Sequence, residues 1–234
     1  MQLDEALALL RDKAAPNIRA IFLRHGAPPS VLGVKVGDLK AVLKAAGKDD
    51  ALARALWDSG VPDARYLAGL MCDPRRMDAA LLQRWADEAD WSMLTESTVP
   101  WVAAESPHGL ELAARWVDDP RTTVAAAGWA TWSSLVSLLP DATLPLDALT
   151  ALLHRVEHGV HTAPNRLRYC QNSFVINVGV YVAPLRTEAL RVAHQIGVVQ
   201  VDVGDTDCAV PLATAYIHRC LERGEPKKKK TVRC

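Results

Sequence analysis

Apolar residues recur every three to four positions along most of this chain, and proline, glycine and aspartate cut the runs. That spacing predicts helices with one buried stripe, closed by short turns. Residues 2–13 carry Leu3, Leu7 and Leu10 on one face, and Pro16 opens a second helix through Arg24. Gly26-Ala27-Pro28-Pro29 breaks that helix, and the loop Leu32 to Leu39 leads into another that ends near Gly47. From there the helices fall in pairs: 49–58 with 62–71, 74–86 with 91–105, 108–117 with 121–138, 146–157 with 164–182, and 185–196 with 209–223. Val198 to Val203 is the one strand-like run, and it is isolated.

A pair repeated at about 30–40 residues is the pattern of a degenerate α-solenoid. The expected fold is all-α, a right-handed solenoid of HEAT-like repeats with one concave face carrying Trp91, Arg121 and Arg168. A compact helical bundle is the alternative. Residues 1–224 read as one repeat domain and residues 225–234 as a basic C-terminal tail.

Half of the 234 residues are hydrophobic, enough for a substantial core, and the formal net charge is zero. The distribution changes that picture. Residues 1–153 hold 15 basic and 20 acidic side chains, whereas residues 219–234 hold seven basic and two acidic ones. A basic surface near the C-terminus is therefore hidden in the average. The five cysteines have no CxxC spacing, which argues against a disulfide framework or a zinc site and for a reducing cytosol. Asp202, Asp205 and Asp207 lack the spacing of a calcium loop and read as turn residues. No signal peptide or membrane span is visible in the sequence.

Three groups of residues carry candidate chemistry. Trp91, Thr95 and Thr98 share one face of a helix, a partly polar aromatic stripe that suits either a ligand or a core position. Arg121, Ala125, Gly128 and Trp132 share another. Their small residues admit a close backbone, which is either DNA phosphate gripped by Arg121 or the next helix, with Arg121 paired to Asp118 or Asp119. On the helix after Pro164, Asn177 and Tyr181 are four apart, and Arg168 with Asn172 forms a second polar stripe. Lys227, Lys228, Lys229 and Lys230 form either a solvated end or an arm that tracks phosphate.

Several stretches, taken in order and spacing, resemble a known family: Gly33-Val34-Lys35-Val36-Gly37-Asp38-Leu39, Leu56-Trp57, Asp90-Trp91, Trp116 through Arg121-Thr122-Thr123, and Phe174 through Tyr181. The family is that of the HEAT-like DNA alkylation repair proteins, the AlkD-like DNA glycosylases and their non-catalytic bacterial relatives. The resemblance implies a cleft for N3- and N7-alkylpurines, built from two tryptophans, a carboxylate and an arginine. Trp91 matches the first tryptophan and Arg121 the arginine, and Tyr181 falls where the second tryptophan is expected. Thr95 stands where the catalytic acid is expected. A hydroxyl cannot stabilise a cationic sugar or activate a water as a carboxylate does. Glu96 is the nearest acid, but on an ideal helix it is turned about 100° away from Thr95.

The implied catalytic set is Trp91, Thr95, Glu96 and Tyr181. The implied DNA-binding set is Arg121, Trp132, Arg168, Asn172, Asn177 and Lys227 to Lys230. The expected function is a DNA-repair protein that engages double-stranded DNA by its backbone, with an aromatic cleft near alkylated bases. The alternatives are a non-catalytic binder of damaged or branched DNA, and a protein-binding solenoid. A nucleoid-associated cytoplasmic monomer without cofactor or metal is expected.

Overall fold

The computed structural model describes residues 1–206 and 208–233. Asp207, read above as a turn residue, and Cys234 lie outside them. The chain is an all-α solenoid. Three N-terminal helices, α1 (Leu3–Asp12), α2 (Pro16–Arg24) and α3 (Val36–Ala46), precede the pairs. The pairs are α4 (Asp50–Asp58) with α5 (Pro62–Met71), α6 (Ala79–Glu88) with α7 (Val99–Glu105), α8 (Gly109–Trp116) with α9 (Thr122–Leu138), α10 (Leu146–Gly159) with α11 (Asn165–Tyr181), and α12 (Arg186–Ile196) with α13 (Ala213–Leu221). The second helices α5, α7, α9, α11 and α13 pack side by side in succession, and this layer carries the clefts described below.

Local chemistry explains several boundaries. Asp49 accepts the amide of Leu52 and Asp78 that of Leu81, so each caps the helix it precedes. The second cap divides the expected 74–86 helix into a 3₁₀ turn, Pro74–Arg76, and α6. Helix α9 is buried on nearly every side, which suits its position between α7, α8 and α11. Gly128 makes that position available. A Cβ there would lie 2.5 Å from the backbone nitrogen of Val117, so the close neighbour admitted by the small residues is α8 and not a phosphate.

The core has two clusters. One surrounds Trp57 and Trp85, stacked at 4.1 Å; the other surrounds Trp129 and Phe174, edge to face at 5.2 Å. Trp132, expected on the DNA side, belongs to the second cluster at 2 % exposure and has no surface to offer a ligand. Thr98 is likewise a core residue, with its hydroxyl bonded to the Met93 carbonyl.

Val198 to Val203 forms no strand. Its backbone is held instead by side chains of α11: Asn165 exchanges two hydrogen bonds with Asp202, each 2.7 Å, and Arg168 reaches the Gln200 carbonyl. The C-terminal tail is not a free arm. It lies along the second-helix layer from α12 back to α5, through contacts set out below.

Candidate functional site

Helix α7 is preceded by a π-helical turn, Leu94–Thr98, and this turn sets the geometry of the site. Pro100 accounts for it. Proline has no N–H to give the carbonyl four residues back, and its ring crowds that carbonyl, here Glu96. The chain widens by one residue, and Val99 donates to the carbonyl of Leu94, five residues back. Glu96 lies inside this widened turn and lines the same cleft as Trp91, although an ideal α-helix would turn it away.

Trp91, Thr95 and Glu96 line one cleft of about 510 Å³. Its walls come from the end of α2 (Arg24, His25 and Gly26), the start of α9 (Thr122 and Thr123), α11 (Arg166 and Tyr169) and the loop around Val203. Trp91 is only 3 % exposed. Its indole N–H donates to the His25 carbonyl at 3.3 Å, and Phe22 packs on the ring at 5.1 Å. Thr95 is also buried, at 4 % exposure.

Glu96 is engaged. Arg166 holds both its oxygens: Nε donates to Oε1 at 2.7 Å and Nη2 to Oε2. The same guanidinium lies 4.8 Å from the centre of the Tyr169 ring, and the buried Cys170 thiol adjoins the carboxylate. Burial pushes the Glu96 carboxyl above the ordinary carboxylate range, while Arg166 and Cys170 pull it back down. Carboxylate and guanidinium thus form a bidentate pair lining the cleft, with the Tyr169 ring against the guanidinium. Asp90 and Asp202 contribute acids only at the exposed rim.

Sequence reasoning placed the aromatic residue of the cleft too far along α11. The aromatic residue beside Trp91 is Tyr169, twelve residues before Tyr181. Tyr181 lies at the far end of α11 and carries the ammonium of Lys229 at 5.4 Å from its ring centre. Arg166, Tyr169, Ser173 and Asn177 follow one another at intervals of three and four and face the clefts. That spacing was the available signal, masked by an interleaved stripe of the same period. Arg168 and Asn172, on the masking stripe, serve the scaffold. Arg168 donates to the Ala163 carbonyl and Asn172 to that of Pro211.

Arg121 precedes the cleft residues Thr122 and Thr123 but does not itself line the cleft. Its guanidinium is taken by Asp119 and by Asp87 of α6, at 2.7 and 2.9 Å. The expected grouping of Trp91, Arg121 and Arg168 therefore reduces to Trp91. Asn177 lines a second, smaller groove of about 210 Å³ with Ser133, Ser134, Ser137 and Ser173. Glu96 and Tyr169 line both cavities, so the two adjoin, and Lys229 and Val232 of the tail border the second.

Among the described residues, no three His, Cys, Asp or Glu side chains gather to hold a metal ion, and no helix is long and apolar enough to cross a membrane.

Comparisons with known proteins agree with this architecture. Residues 5–190 match the family described as DNA alkylation repair enzyme. An uncharacterised protein of Listeria innocua is 32 % identical over 228 residues, 95 % of this chain and 97 % of its own. An uncharacterised protein of Listeria monocytogenes matches to the same extent. One solved structure superposes over 100 % of both chains with a TM-score of 0.91 at 27 % identity. It is described as a new family of proteins related to the HEAT-like repeat DNA glycosylases, with affinity for branched DNA structures.

Proposed function

The chain belongs to the DNA alkylation repair family, and from that premise we propose that it binds damaged or branched DNA without excising the base. One observation carries this reading: the buried carboxylate of the cleft is already neutralised. Base excision by this fold calls for a negative charge that faces a cationic sugar, or for a carboxylate free to orient water. Glu96 has the right residue type and, through the π turn, the right side of the helix. Both of its oxygens are nevertheless committed to Arg166. Thr95, at the position where an acid is expected, supplies only a hydroxyl. The affinity of the structural relative for branched DNA supports the binding half of the reading.

The test is a base-release assay beside a binding titration. The wild-type protein is expected to bind a four-way junction and methylated duplex while releasing no 7-methylguanine or 3-methyladenine above background. Thr95→Asp places an unpaired carboxylate in the cleft and is expected to gain release, since one preorganised charge of this kind is worth about 10²–10³ in rate. Rapid release by the wild type that Glu96→Gln abolishes would overturn the proposal and make Glu96 the catalytic acid.

A further inference from the structure

We infer that residues 226–233 form an ordered basic rail for the DNA backbone, held in place by a latch between Arg233 and Glu105; the inference rests on the DNA-binding reading above. The segment has no helix or strand of its own, yet it is tied down at both ends. At the near end the Lys229 amide donates to the Ser137 carbonyl at 2.7 Å. There too, Lys228 reaches the Val136 carbonyl and Asp141, each at 2.8 Å. At the far end Glu105, the last residue of α7, accepts the Val232 amide and Nε of Arg233, each at 2.9 Å, and the Thr231 hydroxyl. Nη1 of Arg233 goes on to the carbonyls of Gly69 and Cys72, at 3.3 and 2.8 Å. Those carbonyls belong to the C-terminal end of α5, where the helix has acceptors to spare and a partial negative charge. The ion pair is largely sheltered, with side-chain exposures of 16 % and 14 %.

This anchoring sorts the tail by face. Lys228, Val232 and Arg233 turn inward and are half-buried, while Lys227, Lys229 and Lys230 remain exposed. Lys229 stands at the edge of the smaller groove, steadied over Tyr181.

The charge pattern elsewhere shows why these lysines matter. Phosphate is neutralised by cations that are not already paired. The arginines near the clefts are mostly committed: Arg166 to Glu96, Arg121 to Asp87 and Asp119, Arg155 to Asp118, and Arg186 to Glu225. Among the described residues, the cations bordering the cavities without a carboxylate partner are Arg24 on the Trp91 cleft and Lys229 on the smaller groove. Lys227 and Lys230 flank the latter, likewise without a carboxylate partner among the described residues. A duplex or junction arm laid over the smaller groove thus meets unpaired positive charge on the docked tail. Docking fixes the backbone of those lysines before DNA arrives, so less freedom is lost on binding. Arg233 and Glu105 are positioning residues in this scheme.

The same geometry permits the opposite role, a strap that covers the groove and must be displaced, and the experiment separates the two by sign. Affinity for a four-way junction is measured across a salt series with the full-length protein, together with amide exchange at Lys229 and Val232. Replacing Lys227, Lys229 and Lys230 by Gln is expected to flatten the salt dependence by about 0.9 in slope for each phosphate no longer neutralised. Glu105→Ala is expected to speed exchange at both amides and to weaken binding roughly tenfold, through lost preorganisation, while keeping most of the slope. Arg233→Ala opens the latch without touching α7 and should reproduce this, and the double variant should be no worse than either single one. Tighter or unchanged binding once exchange shows the latch open, or an unaltered slope in the lysine variant, would overturn the rail. Failure of the wild type to bind junction or duplex at any salt would instead withdraw the DNA reading itself.

Discussion

Asp63 is 2 % exposed, and its carboxylate accepts three backbone amides: Leu32 at 2.6 Å, Gly33 at 3.1 Å and Val34 at 2.8 Å. It stands in the first turn of α5, where a negative charge is favoured, and it pins the loop that leads into α3. Gly33 belongs to the same device. Its φ is +86°, and a Cβ would meet the Arg19 backbone at 2.5 Å. Asp63→Ala would strand three donors in the interior and is expected to cost about 3 kcal/mol or more, read as a lower urea midpoint at unchanged slope. A loss under about 1 kcal/mol would show that the loop finds other acceptors. A helix-start role for Asp63 can be read locally, since it follows Pro62 at the head of a helical pattern. Its loop partners lie about thirty residues upstream, and no local pattern points to them. The same limit applies to Arg166 and Glu96, seventy positions apart, although each residue type is a familiar one for such a site.

At the level of elements, the helices and their pairing were legible because proline, glycine and aspartate punctuate them wherever the chain turns. Which side chains face which way was less so. A period of 3.6 applied through Pro100 turns Glu96 out of the cleft, and the π turn that brings it in follows from a proline read only as part of a helix. On α11, two polar stripes with the same i, i+4 spacing competed, and burial decided between them. Gly128 shows the opposite balance, a small residue whose contact was foreseen but whose neighbour was left open. Intrinsic propensity alone makes Gly128→Ala stabilising by about 1 kcal/mol. The new Cβ would press on the backbone of α8, at 2.5 Å from Val117 N and 2.7 Å from Trp116 C, and backbone cannot rotate aside as a side chain can. Overpacking should win, for a net loss of about 1–3 kcal/mol measured by thermal or urea unfolding. A more stable variant would mean that α8 and α9 can separate far enough to admit the new methyl group.

Across the whole molecule, a solenoid transmits stability only between neighbouring repeats, so long-range ties change its cooperativity more than their number suggests. The two core clusters meet along α8 and α9, which supply residues to both. The tail is a second link. Glu225 pairs with Arg186 at the start of α12, and Lys228 and Lys229 bond to the end of α9. Arg233 then grips Glu105 and the end of α5, next to the first cluster. Charge composition alone reads residues 225–234 as a solvated end, since it says nothing of the acceptors waiting on α5, α7 and α9. If the tail couples the halves, the full-length chain unfolds in urea as one transition, with similar exchange free energies in α4–α7 and α10–α13. A chain ending at residue 225 should then show a broader transition with a smaller apparent m-value, because the halves no longer unfold together. Amide exchange should place the first loss of protection on one side of the α8–α9 seam. An unchanged m-value and uniform exchange in the shortened chain would show that the α8–α9 seam alone sets the cooperativity, leaving the tail to act only on DNA.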